Sequence, residues 1–316
     1  MDISLYVAST PYHILSSVLD MYLQKKRGVV ILLSNFEDDY NFFKKISVRM
    51  LKYRWIADVI VIPPGGKVRR VLGYHKYYKY ICQRYSVGDV IISPWNLIKM
   101  YSNGNYFFNK FKNTNRIILF EDGSNVYLSS EFRVSLLEKI VYRLFNIKML
   151  KDFIPYVDKI VVSYPHKFPD RIQDKLEERN ISDVLSNLNF NDKKEITGIF
   201  LNSEDTNVLE GLKEKQCKSI IFTQPFFRDG LMDERSQKEL FDNLIVKYAV
   251  QGPLIVKKHP RDNVDYSVPT GCILIEGKFP SELLSSFGII FSKSIGISSS
   301  ATKSVKAKEY INEEIL

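Results

Sequence analysis

Cysteine is scarce in this chain of 316 residues, which has only Cys82, Cys217 and Cys272 and no CxxC pair. This spacing indicates neither a zinc site nor a disulfide framework, so a reducing, cytoplasmic setting is the default expectation. Long apolar runs are also missing, and none approaches the length of a bilayer span. The first eight residues have an acid at position two and no basic n-region, which is typical of a strand and not of a secretory signal.

Two common nucleotide-binding motifs, GxGxxG and GxxxxGK[ST], are absent, which argues against a dehydrogenase or a P-loop enzyme. Acidic residues are fewer than basic ones: the chain has 36 Asp and Glu and 45 Lys and Arg, which gives a formal net charge of +9. That excess favours anionic partners, namely nucleic acid, a nucleotide-linked substrate or an anionic membrane surface. Because no nucleic-acid reader motif accompanies the charge, we do not expect a nucleic-acid partner.

Short β-branched runs alternate with helical segments along most of the chain, which predicts parallel βαβ units and doubly wound sheets. The first series covers residues 1–195 and the second covers residues 196–316, so we expect an α/β fold with two Rossmann-like domains. A long helix is predicted at Glu131–Lys148, and a final helix at Ala301–Leu316, packing back toward the N-terminal domain.

The most informative stretch is Lys257–Asp262, which follows the apolar run Leu254–Val256. Pro260 lacks an N–H and biases His259 away from the helical region, so the strand must end there. His259 is therefore placed at the carboxyl end of a strand, where open α/β sheets bind ligands. An imidazole beside two lysines and an arginine can hold a phosphate, although a strand followed by a solvated basic turn explains the pattern equally well.

Three further motifs sit where a strand gives way to a loop. Glu121-Asp122-Gly123 can supply a general base and an anchor, or be an ordinary Asp-Gly turn. Glu282, opening a predicted helix, can accept hydrogen bonds from ribose hydroxyls or simply compensate the helix dipole. Ser298-Ser299-Ser300 before the predicted last helix can bind phosphate or act as an N-cap.

Together and in this order, acid-acid-Gly, Lys257-x-His259-Pro260-Arg261 and the serine run resemble the motifs of bacterial sialyltransferases. The opening Ser9–His13 and the strand end Thr223–Phe226 look most like glycosyltransferase family 52, which includes lipooligosaccharide and capsular polysaccharide sialyltransferases. This resemblance implies a GT-B enzyme with two facing domains, inverting and independent of metal or other cofactor. It also implies CMP-sialic acid as the donor, a galactose-type hydroxyl of a bacterial surface glycan as the acceptor, and an α-2,3 linkage between them.

The resemblance also implies roles for individual residues in the C-terminal domain. Lys257 and the main chain at Pro260 would hold cytosine, and Glu282 would hold the ribose. His259 would contact the CMP phosphate together with Ser298 and Ser299, with Ser300 an alternative because the register of the serine pair is uncertain by one.

The catalytic base and the acceptor side have more than one candidate. Glu121 occupies the position of the usual base, its neighbour Asp122 is an alternative, and family 52 points to Asp229. His13, with Thr10 and Pro11, could face the acceptor, although a locally satisfied histidine is the simpler interpretation.

Two rival functions remain open from the sequence. The first is a related GT-B enzyme that uses another nucleotide sugar for hexosyl transfer. The second is a non-enzymatic protein that binds polyanions or membranes through the basic, aromatic helix at residues 67–85. The same helix leads us to expect a lipid-linked acceptor and peripheral attachment to the inner face of the plasma membrane. The simpler interpretation of its sequence is a solvated face with the aromatic side chains turned to the core. A homodimer is left open.

Overall fold

The protein consists of two units, defined by contacts within a computed structural model that describes residues 2–65, 67–94, 97, 104–121, 150–214 and 219–313. The first unit is Met1–Ile181 and the second is Ser182–Leu316. The sequence placed the change of domain later, after residue 195. The predicted helix at Glu131–Lys148 lies outside the described residues.

The first unit is built on a seven-stranded parallel sheet. Its strands are β1 Ile3–Ala8, β2 Gly28–Leu33, β3 Ile56–Ile62, β4 Val87–Ile92, β5 Arg116–Phe120, β6 Lys159–Val162 and β7 Leu176–Glu178. They lie in the order β3-β2-β1-β4-β5-β6-β7. β1 and β2 are buried along their whole length, as expected for strands covered on both faces.

Helices follow most of these strands. The first helix begins at a Thr10 N-cap, whose hydroxyl accepts from the His13 N–H, with Pro11 at the first helical position; it ends at Lys25 in the left-handed region. Over the described part of this unit, the α-helices are α1 Pro11–Gln24, α2 Glu37–Met50, α3 Lys67–Arg84, α4 Gly104–Phe111 and α5 Leu150–Phe153. 3₁₀ helices lie at Ile154–Tyr156, Pro165–Lys167 and Asp170–Lys175.

The second unit repeats the same plan with a five-stranded parallel sheet in the order β10-β9-β8-β11-β12. Its strands are β8 Ser219–Phe222, β9 Leu254–Lys257, β10 Ile273–Ile275, β11 Ile290–Ile297 and β12 Lys306–Glu313. In both units the chain winds outward from a central strand, then returns to add strands on its other side, which is the Rossmann order. The expected α/β fold with two Rossmann-like domains is therefore confirmed.

Among the residues that the structure describes, the α-helices of the second unit are α6 Ile181–Ser186, which begins at the last residue of the first unit, α7 Phe190–Phe200, α8 Ser203–Glu214 and α9 Glu234–Ala249. Asp233 caps α9 by accepting from the Ser236 N–H, and the buried face of α9 packs on β9. 3₁₀ helices lie at Ser281–Phe287 and Ser300–Lys303.

The predicted final helix is wrong. Residues 306–313 form the edge strand β12, which pairs with β11 from Ile290↔Lys306 to Ile297↔Glu313. The segment contains strong helix formers, but pairing along the whole of β11 outweighs that local preference. Its charged side chains suit an edge strand, where they discourage pairing with another chain. The helix expected to pack back toward the N-terminal domain is therefore not formed over these residues.

Candidate active site

The predicted donor-site motifs meet at the carboxyl edge of the second sheet. Because β8 lies between β9 and β11, the segments that follow these three strands are neighbours. Thr223 and Gln224, consecutive after β8, reach in opposite directions. The Thr223 Oγ1 accepts from the His259 N–H at 3.0 Å, and the Gln224 Nε2 donates to the Ser299 Oγ at 2.6 Å. His259 and the serine run therefore belong to one continuous polar strip.

The imidazole of His259 is oriented by its own turn. The Arg261 N–H donates to the His259 Nδ1 at 3.1 Å, and the Asp262 N–H donates to the His259 carbonyl at 2.8 Å. Because Nδ1 is an acceptor here, the neutral ring carries its hydrogen on Nε2. Burial lowers the pKa of His259 to about 3, and Arg261, Lys257 and Arg228 add to the effect. His259 is therefore a neutral N–H donor.

The serine run differs from the expected helix start. Ser300 begins a 3₁₀ helix of four residues, so no α-helical N-terminus offers its N–H groups to a phosphate. Ser298 has a left-handed backbone (φ 46°), and its N–H donates to the Glu313 carbonyl at 2.8 Å. Ser299 is 1% exposed and its N–H donates to the Asn312 Oδ1, whereas Ser298 and Ser300 are exposed.

Lys257, the last residue of β9, is only 2% exposed. Its ammonium donates to the carbonyls of Lys258 at 2.9 Å and Gly277 at 2.7 Å and lies 4.4 Å from the centre of the Phe279 ring. Burial lowers the pKa of Lys257 to about 7, while the charges of Asp205 and Glu282 oppose that shift. The structure therefore brings Lys257 and Glu282 within electrostatic range of each other.

Asp229 lies in the loop between β8 and α9. Its carboxylate forms a two-point ion pair with the Arg261 guanidinium, with N–O distances of 2.7 and 3.1 Å. The loop is a compact turn, since the Asp229 N–H donates to the Pro225 carbonyl and Gly230 adopts a positive φ of 74°. Asp229 and His259 are therefore both in the second unit, linked through Arg261.

Glu121 follows β5 at the carboxyl edge of the first sheet and is held by three donors. The Tyr12 hydroxyl donates to its Oε1 at 2.8 Å, the Ser163 hydroxyl donates to the same oxygen at 2.5 Å, and the Ser163 N–H donates to Oε2 at 2.7 Å. This carboxylate therefore ties α1 to the ends of β5 and β6. Its neighbour Asp122 lies outside the described residues.

The acceptor-side candidates form the start of α1. Thr10 and Pro11 cap the helix. His13 is buried, and its Nδ1 accepts from the Ser9 N–H at 3.2 Å. This agrees with the simpler interpretation of His13 as a locally satisfied histidine, and an acceptor contact stays a prediction.

The basic, aromatic helix α3 has two faces. Tyr77, Tyr78 and Tyr80 pack against the core of the first unit, as the simpler interpretation predicted. Lys76 and Lys79 are exposed, so the membrane attachment expected from this helix stays a prediction that depends on its cations. Over the residues described, no helix is long and apolar enough to cross a bilayer. The same residues contain no group of three or more His, Cys, Asp or Glu that could hold a metal ion.

The sequence missed the residues that connect these motifs. Thr223 and Gln224 were recognised only as part of a motif, and Asp262, Gln237 and Asn312 were not singled out. For Thr223 the only signal in the sequence is its position directly after an apolar run, because the sequence does not show that this strand lies next to β9. Gln237 and Asn312 had none, since a glutamine in a helix and an asparagine in an edge strand are ordinary surface residues by type.

Comparison with known proteins gives the family. The model of glycosyltransferase family 52 matches residues 100–314. An uncharacterized protein of Haemophilus influenzae is 29% identical over 184 residues, which are 58% of this chain and 57% of that protein. The chain therefore spans less than two thirds of this relative's length.

Two solved structures match this chain over most of its length. A 2,6-sialyltransferase from Photobacterium sp. JT-ISH-224, solved with CMP and lactose, has a TM-score of 0.62 and 15% identity over 98% of this chain and 71% of its own. At this identity the likeness concerns the fold alone. A spinosyn rhamnosyltransferase with thymidine diphosphate has a TM-score of 0.46 and 10% identity over 96% of this chain and 76% of its own. The family match covers more than half of the sequence, and the chain belongs to glycosyltransferase family 52.

Proposed function

We propose that this glycosyltransferase is an inverting, metal-independent sialyltransferase that moves sialic acid from CMP-sialic acid to a galactose-type hydroxyl of a bacterial surface glycan. The observation that supports it most is the polar strip in which Thr223 and Gln224 join His259 to Ser299. The Photobacterium enzyme of similar fold, solved with CMP and lactose, is consistent with such a donor and acceptor.

The strip suits a departing phosphate. When CMP leaves, negative charge develops on its phosphate as the glycosidic bond breaks. In our proposal the His259 Nε2–H and the exposed hydroxyls of Ser298 and Ser300 donate to that phosphate, while Ser299 fixes the turn through Gln224. Donors held in place before the reaction stabilise the transition state more than the ground state, because no reorganisation is needed as charge appears.

The nucleoside would lie along β9 and the 3₁₀ helix that starts at Ser281. In our proposal the cytosine lies at Lys257 and the Pro260 main chain, and the ribose lies at Glu282. The buried ammonium of Lys257 already donates to two carbonyls, so its proposed role is to fix the main chain around the cytosine site. Glu282 lies in the first turn of the 3₁₀ helix, where a carboxylate can accept from ribose hydroxyls.

For the base we propose Asp229. A general base must reach the proton it removes, and Asp229 is partly exposed on the turn that Arg261 holds beside His259. Glu121 has three donors on its two oxygens and serves as the anchor of the first unit's loops. Thr10, Pro11 and His13 remain proposed for the acceptor side.

Release of nucleotide from the donor tests this function. Purified protein is incubated with CMP-sialic acid or with UDP-hexoses, with and without a galactoside acceptor, and the nucleotide released is measured. We expect CMP release that increases with acceptor. His259→Ala should lower it by roughly 10²–10³, by analogy with loss of one oxyanion donor, because the phosphate loses its N–H donor.

The matched control is His166→Ala, which changes an exposed histidine in the 3₁₀ helix Pro165–Lys167 after β6 and should keep wild-type turnover. Both variants should retain the wild-type circular dichroism spectrum. UDP release in place of CMP would favour the hexosyl transfer of a related family member. Release of neither nucleotide would favour a non-enzymatic binding protein, and full turnover in His259→Ala would contradict the proposed donor site.

A further inference from the structure

A buried carboxylate lies directly behind the polar strip. Asp262 is 9% exposed and accepts four hydrogen bonds. Its Oδ1 accepts from the Gln237 Nε2 at 3.0 Å and the Val264 N–H at 3.1 Å, and its Oδ2 accepts from the hydroxyls of Thr223 and Tyr266. The network joins the end of β8, the loop after β9 and helix α9.

The direction of each bond in this network is fixed. Burial raises the pKa of Tyr266 well above its ordinary value, and Asp262 adds to that effect, so the phenol stays protonated and donates to Asp262. The Thr223 hydroxyl also donates to Asp262, because a carboxylate offers only acceptors, while the Thr223 oxygen accepts from the His259 N–H. One carboxylate therefore determines which way the Thr223 hydroxyl points. Through that hydroxyl it also fixes the position of the His259 main chain.

The same network holds the turn that carries Asp229. Gln237 is fully buried, and while its Nε2 donates to Asp262, its Oε1 accepts from the Phe227 N–H at 2.6 Å. A carboxylate at position 262 thus fixes the glutamine amide in the orientation that Phe227 requires. Both polar segments proposed to act on the donor and the acceptor are supported from one buried group.

We propose that Asp262 is a positioning residue for sialyl transfer, which acts through Thr223 on His259 and through Gln237 on the turn that carries Asp229. This inference rests on the proposed function. Asp262 makes no contact with substrate; its charge orders the hydroxyl and amide that hold the reacting groups. An amide at this position has one acceptor oxygen and one NH2 group, so it cannot accept all four of these hydrogen bonds, and the isosteric change removes the order without changing the volume.

The test compares two substitutions at the two ends of one hydrogen bond. Asp262→Asn and Thr223→Val should each lower kcat by roughly 10- to 100-fold, the range expected when a supporting contact misplaces a reacting group. Donor KM should change far less. The double variant should be no slower than the slower single variant, because both remove the same link. Thr223→Ser, which keeps the hydroxyl, should recover most of the activity.

Asp242→Asn is the matched control. It makes the same carboxylate-to-amide change on helix α9, where Asp242 accepts from the Lys238 ammonium at 2.9 Å and from the Ser267 N–H at 2.7 Å, bonds that do not include Thr223 or Gln237. It should lower the melting temperature while kcat stays within about threefold of wild type. Should Asp262→Asn fail to fold, Thr223→Val and Thr223→Ser decide the matter. Equal kcat losses in Asp242→Asn and Asp262→Asn, additive losses in the double variant, or a wild-type kcat in Thr223→Val would each overturn the inference. An inactive wild type would instead remove the proposed function, and the inference with it.

Discussion

The protonation state of His259 is the prediction with the most direct physical origin. Its pKa of about 3 is far below the ordinary value of 6.5, because desolvation of the half-buried ring and the charges of Arg261, Lys257 and Arg228 disfavour the protonated form. The folded protein therefore leaves His259 neutral at pH values where the unfolded chain protonates it. The stability contributed by the neutral ring is present above pH 6.5 and is lost as the pH falls from 6.5 toward 3.

The size of this effect follows from linkage. With a pKa of 6.5 in the unfolded chain and 3 in the folded protein, lowering the pH from 7.5 to 5 should reduce the unfolding free energy of the wild type by about 2 kcal/mol. His259→Gln has no titrating group here, so its stability should fall by about 2 kcal/mol less over the same pH range. Urea unfolding of both proteins at the two pH values measures this difference.

Nuclear magnetic resonance gives the same quantity without unfolding. The chain has four histidines, so the imidazole signal absent from His259→Gln identifies residue 259. We expect that signal to keep the shift of a neutral ring, with hydrogen on Nε2, from pH 8 down to pH 5. A titration with a midpoint near 6.5, together with a stability difference that does not change with pH, would refute the reasoning.

Two further predictions concern the strip and the base. In Gly296→Ala the new Cβ would lie 2.7 Å from the Thr302 Cγ2 and 2.9 Å from the Ser299 Cβ. We therefore expect the free energy of unfolding to fall by about 1–3 kcal/mol, and CMP binding measured by calorimetry to weaken. Gly198→Ala, where a Cβ meets nothing within 4 Å, is the control. Asp229→Asn should lower transfer by roughly 10²–10⁴ with little change in melting temperature, since a part-exposed ion pair contributes about 0–1 kcal/mol. Glu121→Gln should instead lower the melting temperature, and the opposite pattern in the two variants would identify Glu121 as the base.

Much of the fold could be predicted because buried β-branched runs form strands wherever they occur. The sequence predicts strands at Ile3–Ala8, Arg116–Phe120 and Lys159–Val162, and β1, β5 and β6 cover the same residues in the structure. The short edge strand β7 was missed because its three residues are largely polar, and β12 was predicted as a helix because its residues favour helices locally. In both cases pairing with a neighbouring strand decides the conformation, and sequence periodicity does not report that pairing.

The site shows the same division. His259 could be placed at a strand end because Pro260 stops β9, and the structure confirms that position. The buried partners of His259 could not be found, because Thr223 and Asp262 meet only through the order of β8 and β9 in the sheet. The register of the serines also depends on tertiary contacts: Ser299 is buried by Gln224 and Asn312, residues far away in sequence.

A crystal structure of the full chain with CMP tests the central claim most directly. The account predicts the phosphate within hydrogen-bond distance of the His259 Nε2 and of a hydroxyl in Ser298–Ser300, with the ribose at Glu282. CMP bound on the first unit, or a phosphate out of reach of the His259 ring, would contradict it.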